Sequence, residues 1–215
     1  MHGIFGAEGP LFRLGSIIYD IIILSLIWIV VSIPVVTIGA SITGIYYAAT
    51  LRLTDRERSA TKDFFKGFKD NFILSTLVFI TFLAVAFIFA VNLNVLLNNE
   101  GNEMIESIKI FMLPLQIFFI IEGIFVFIYI FPLLSRFDLK YPELFKTALR
   151  LANKHLLTSF ACILLLAFTV FTSVITGIFT VIAVGFYCYA SSNLLLKVFR
   201  KYKPEIFNDF EALKR

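Results

Sequence analysis

The sharpest chemical feature of this sequence is a glutamate in the middle of an apolar stretch. Glu122 interrupts a run from Ile110 to Ser135 that carries no other charge, and an ionised carboxylate there is costly unless something pairs with it or uses it. Two readings follow. Glu122 is a proton-coupled or cation site, its pKa raised by desolvation, or it is a protonated carboxyl hydrogen-bonded to a neighbouring helix. Asp20 is a weaker candidate of the same kind, since it lies within a turn or two of the end of the first apolar stretch and can reach interfacial water. Asn92, Asn94, Asn98, Asn99 and Asn102 grade into an acidic loop; such amides can meet a sugar hydroxyl, but a polar span end needs no ligand.

Other chemistries find no residues to carry them. His2 and His155 have no cluster of Cys, His or Asp around them, so no metal and no cofactor is expected. Cys162 and Cys188 both lie within apolar stretches and read as small packing or membrane-facing residues. Gly3, Gly6 and Gly9 follow no strand and precede no Lys-Ser/Thr pair, so they form no phosphate cradle. With no nucleophile and base, metal set or acidic dyad, the expectation is a protein without catalytic residues.

The elements that position Glu122 and Asp20 follow from composition. Of 215 residues, 59% are hydrophobic and only 16% charged, too few charges to wet a globule of this size. The chain is therefore a membrane protein, and a soluble enzyme is excluded. Its net charge of +4 comes from cations beside apolar spans, which positive-inside topology and anionic lipid headgroups explain without nucleic acid. No cleavable leader is read at the start, because a basic region followed by a short apolar run is missing there.

Since roughly 20 residues cross the hydrocarbon core, the apolar runs divide into spans near 16–33, 38–53, 71–97, 110–135, 156–175 and 178–197. The first run is ambiguous, because Pro34 breaks it and Gly39 follows. Either one tilted span is followed by a short re-entrant helix, or two helices form a tight hairpin; the hairpin is favoured. Ala40, Gly44 and Ala48 then make a ridge of small residues suited to close helix packing. The expected fold is all-α, a polytopic transmembrane helical bundle of five or six spans forming a single membrane domain over 1–215.

Lys and Arg place the loops. Loop 54–70 with Arg52 just before it has six cations, loop 136–154 has five and the tail 198–215 with Lys197 has six, so all three are expected in the cytoplasm. Six spans put both termini inside; five put the amino terminus outside. Each large loop holds an amphipathic helical pattern. Phe64, Phe65, Phe68 and Phe72 lie opposite Lys62, Lys66 and Lys69 in the first, and Leu144, Phe145, Ala148, Leu149 and Ala152 oppose Lys146, Arg150 and Lys154 in the second. Such helices lie on the inner leaflet through apolar burial and lipid charge or form a docking surface for a partner. Phe65-Lys66 and Phe145-Lys146, each followed by an Asn and a Thr, hint at two related three-span halves.

The block Trp28 to Gly39, WIVVSIPVVTIG, followed by Tyr46-Tyr47 and by the stretch Asp63 to Phe72, DFFKGFKDNF, resembles the YesL family of bacterial integral membrane proteins. The likeness is strongest over residues 10–80; where that family usually has an Asn, this chain has Ser25. The resemblance implies a small multi-pass protein of the bacterial cytoplasmic membrane, often encoded near carbohydrate uptake and breakdown genes. The resulting expectation is a non-enzymatic accessory component partnered by the lipid bilayer and a carbohydrate transporter component. The alternative is a small solute transporter or channel that uses Glu122.

Overall fold

The structure is a computed structural model that describes residues 10–54, 58–98, 103–177 and 179–202. Among them are eight α-helices, a short 3-10 turn and no strand: α1 Pro10–Val31, the turn Val35–Thr37, α2 Ile38–Thr54, α3 Ala60–Asp70, α4 Phe72–Asn98, α5 Glu103–Leu134, α6 Tyr141–Lys154, α7 Leu156–Thr176 and α8 Thr180–Phe199. This is the all-α bundle expected. His2, the glycines at 3, 6 and 9, Asn99, Asn102 and the tail beyond Tyr202 lie outside the described residues.

Five helices, α1, α4, α5, α7 and α8, are long and apolar enough to cross a membrane. Two helices flank the Pro34 break, as both readings of the first apolar run require, and α2 is not among the helices long and apolar enough to cross a membrane. Pro34 ends the stretch after α1, and Thr37 Oγ1 donates to the carbonyls of Val31 and Pro34 at 2.5 and 2.6 Å, closing the turn from which α2 starts. α2 has 17 residues, or about 25 Å, and is shorter than the other apolar helices.

α2 is nevertheless the centre of the bundle, with Gly39–Ser41, Thr43–Tyr46 and Ala48–Leu51 all buried. Its small residues give each neighbour a close approach. A Cβ on Gly39 would lie 2.5 Å from the Ser75 carbonyl oxygen of α4, and one on Gly44 would lie 2.9 Å from the Phe64 carbonyl oxygen of α3. A third face carries Tyr46, whose hydroxyl hydrogen-bonds Ser191 Oγ of α8 at 3.0 Å. Gly44→Val is therefore expected to push α3 off α2 at a cost of about 1–3 kcal/mol. A midpoint unchanged from wild type in denaturant titration of the detergent-solubilised chain would refute that close contact.

The two amphipathic stretches form as helices, and each runs into the next span through one non-helical residue. Ser59 caps α3, accepting from the Lys62 amide, and Pro142 opens α6. The breaks are Asn71, between α3 and α4, and His155, between α6 and α7. Four residues beyond each break stands a fully buried serine that hydrogen-bonds the preceding long helix: Ser75 to Thr43 at 2.8 Å, Ser159 to the Tyr129 hydroxyl at 3.4 Å. The internal echo thus relates α2–α3–α4 to α5–α6–α7, with α1 and α8 outside it. Two three-span halves would have been divided between α4 and α5, which is not where this echo repeats.

Candidate functional site

Three arginines and two aspartates gather where α1, α2 and α3 meet the end of α5. Arg52, in the last turn of α2, donates from Nε to Asp20 Oδ2 of α1 at 2.6 Å, from Nη2 to Ser16 Oγ and from Nη1 to the Arg58 carbonyl, both at 2.9 Å. Arg58 reaches forward into α3, where its Nε and Nη2 grip both carboxylate oxygens of Asp63 at 2.9 Å. Such a fork is the geometry a guanidinium offers a carboxylate. Arg136, just after α5, faces Tyr47, Arg58 and Asp63, and burial lowers its pKa to about 10, so it stays charged at neutral pH.

This arrangement corrects the expectation for Asp20. Asp20 does lie within two turns of the start of the apolar span at Leu14, but its side chain is only 4% exposed. It does not reach interfacial water. Arg52 supplies its counter-charge, which makes the pair a lock between α1 and α2. A signal for this contact was present in the sequence: Asp20 and Arg52 stand 16 residues to either side of Val36, in the turn, and the arms of a helical hairpin meet at equal distances from it.

The second feature is the surroundings of Glu122. It stands where α5 changes company: Ile108, Ile110, Phe111, Leu115, Phe118 and Ile121 are exposed, whereas Phe125, Tyr129, Ile130, Phe131 and Leu134 are buried by the rest of the protein. The carboxylate is half-buried and accepts a hydrogen bond from Asn153 Nδ2 at 3.0 Å, from the last turn of α6. Glu122 thus meets a neighbouring helix. It also lines a groove of about 740 Å³ between α4 and α5. Phe82 lies at its wall, 5.1 Å from the Phe127 ring and 5.9 Å from that of Phe145. Beside it, Thr81 and the Tyr141 hydroxyl hydrogen-bond at 2.7 Å. Farther along, Gln116 Nε2 ties α5 to the Phe89 carbonyl of α4 at 2.6 Å.

The amphipathic helices sort their residues by face. On α3, Lys62, Phe65, Lys66 and Lys69 are exposed, Phe68 is half-buried and Phe64 is fully buried. Phe64 therefore leaves the expected docking surface: it packs under Gly44 because α2 offers no side chain there. On α6, Lys146, Arg150 and Lys154 are exposed, while Leu144, Ala148, Leu151 and Ala152 are buried. Lys154 Nζ lies 5.1 Å over the Tyr202 ring, and the Tyr202 hydroxyl hydrogen-bonds His155 Nε2 at 2.8 Å. Burial and then the charges of Lys201 and Lys154 hold the His155 pKa below its usual value, which keeps the imidazole neutral at pH 7.

Cys162 and Cys188 are free thiols buried in the core, so of the two roles expected for them it is packing that they perform. Asn92, Asn94 and Asn98 are exposed along the end of α4. Ser25 is fully buried: its Oγ donates to the Ile182 carbonyl at 3.1 Å and accepts from the Gly185 amide at 3.0 Å, fastening α1 to α8. Sequence reasoning missed Arg58, Asp63, Arg136 and Asn153 as members of these clusters, having counted the arginines only as topology signals.

Residues 21–93 match a family described as "Protein of unknown function, DUF624". The match covers the second half of α1, all of α2 and α3, and α4 as far as Leu93, so it takes in Arg52, Arg58, Asp63 and the α4 wall of the groove but not Asp20 or Glu122. No curated protein and no solved structure matches the chain.

Proposed function

We propose that this chain is a non-enzymatic accessory protein of the bacterial cytoplasmic membrane that holds a protein partner against the exposed basic face of α3. The observation that carries this reading is how that face is seated. Lys62, Lys66 and Lys69 are exposed on a helix whose other side is fixed by the buried Phe64 and by the Arg58–Asp63 pair. A preformed surface loses little freedom on binding, and rows of like charge select partners of opposite sign. α6 carries a basic face of its own, with Lys146 and Arg150 exposed. Positive-inside topology puts both helices, and the carboxyl terminus, in the cytoplasm.

Association with a carbohydrate uptake system comes from the YesL-like resemblance and makes an acidic patch on such a transporter the partner to look for. Transport through the chain itself fits less well. Glu122 faces an apolar groove and an amide, and the buried hydroxyls at Thr43, Ser75, Tyr46 and Ser191 are used in helix-to-helix hydrogen bonds.

The test is purification of the tagged protein from its native membrane in mild detergent, beside the triple variant Lys62→Glu, Lys66→Glu, Lys69→Glu. A stoichiometric protein companion is expected with the wild type and a loss of about tenfold or more with the variant, whose exposed substitutions leave stability within about 0.5 kcal/mol. A wild-type chain that purifies alone, or a companion retained equally by the variant, overturns the proposal.

A further inference from the structure

The groove between α4 and α5 is hollow because of particular residues. α4 presents Ala86 and Ala90 to it, and α5 presents Gly123. A Cβ built on Gly123 meets nothing within 4 Å, in contrast to the tightly opposed Gly39, Gly44, Gly67 and Gly185. Gly123 therefore opens space where the others allow close approach. From Phe79 to Leu93 the α4 wall runs 15 residues, about 21 Å between its end residues at helical rise, and both helices are among those long and apolar enough to cross a membrane. Length, volume and apolar lining suit an acyl chain entering sideways from the bilayer.

Glu122 gives the α5 wall of this groove one polar side chain, between Phe119 and Phe127. Its carboxylate is oriented by the Asn153 amide and has no cationic partner among the described residues. A carboxyl group at the wall of an apolar groove, bonded to a single amide through one oxygen, leaves its other oxygen to meet a donor that arrives with the ligand. On α6, Lys146, Arg150 and Asn153 recur at i, i+4 and i+7, so they share one exposed face with Asn153 at its Glu122 end. A headgroup whose ammonium meets Glu122 has guanidinium and ammonium donors one and two turns away for its phosphate.

We propose that the α4–α5 groove is a binding site for a zwitterionic phospholipid with a primary amine, of the phosphoethanolamine class, whose ammonium is held by Glu122 and whose acyl chain fills the hollow at Gly123. The site is separate from the α3 face, so its test stands apart from that of the partner-docking reading.

The experiment is native mass spectrometry of the full chain released from vesicles containing equal amounts of phosphatidylethanolamine and phosphatidylglycerol. The wild type is expected to retain phosphatidylethanolamine over phosphatidylglycerol by about tenfold, the size of one hydrogen bond to a charged group. Glu122→Gln is expected to bring that ratio close to one while some lipid still binds. Gly123→Leu, whose side chain grows into open space, is expected to remove the retained lipid without changing the melting midpoint. Equal retention of the two lipids by the wild type overturns the proposal, as does a preference that survives Glu122→Gln. Photocrosslinking in native membranes from a reactive side chain at position 86 supplies a second measurement: a lipid adduct supports the site, and a polypeptide adduct, from a partner helix or a second copy of the chain, refutes it.

Discussion

Replacing Arg52 with alanine is expected to destabilise the protein by about 3–5 kcal/mol, the range found when one partner of a buried ion pair is removed. The magnitude follows from what is left behind. Arg52 is the counter-charge of Asp20, and their side chains are 11% and 4% exposed. The same guanidinium also satisfies Ser16 and the Arg58 carbonyl. Without it, a carboxylate stays inside the bundle with neither water nor cation, and the α2–α3 connection loses its tie to α1. Removing both charges in Asp20→Asn/Arg52→Met is expected to cost less than Arg52→Ala, because no uncompensated charge remains. Denaturant titration of the detergent-solubilised chain measures both. A double variant as unstable as the sum of the two single ones would show that the pair itself is not what matters.

The second large effect is expected at Phe64. Truncation to alanine removes a fully buried ring from between α2 and α3 and should cost about 3–5 kcal/mol. The ring stacks on Phe68 at 6.2 Å and meets Phe65 edge-on at 5.3 Å, so its loss loosens the face that presents the lysines. Phe65→Ala is the control. That side chain is 40% exposed, and its loss should cost under half as much as that of Phe64. Equal losses from the two variants, read from thermal melting, would mean that α3 does not sit on α2 as described.

The Phe64 comparison separates what an amphipathic pattern reveals from what it leaves open. The pattern of α3 identifies an apolar face and a basic face, since i, i+3 and i+4 positions share a side of a helix. It does not say whether the apolar face meets lipid or protein, because both are hydrophobic surroundings and impose the same composition. Gly44 and Gly67 decide it by letting the α2 and α3 backbones approach too closely for lipid to intervene. The same limit applied to Glu122. Counting from the ends of its apolar run places it at the centre of a span, whereas α5 continues to Leu134 with its last three turns enclosed by protein, so that α6 can bring Asn153 to the carboxylate.

Composition and periodicity by themselves determined that the chain is an all-α membrane bundle, that its apolar helices begin and end close to where charges interrupt them, and that two basic amphipathic helices join them. Those properties are local: an apolar helix needs only its own residues to satisfy its backbone in lipid, and its ends fall where charge returns. Which polar groups meet was a matter for the tertiary structure alone. Asp20 with Arg52, Glu122 with Asn153 and Ser25 with the α8 backbone are joined across turns or between helices far apart in sequence. Their partners are fixed by the angle and register at which helices pack, and in a chain where nearly every span face is apolar, hydrophobicity does not distinguish one register from another. Small residues and buried charges do, and they act only once two helices are side by side.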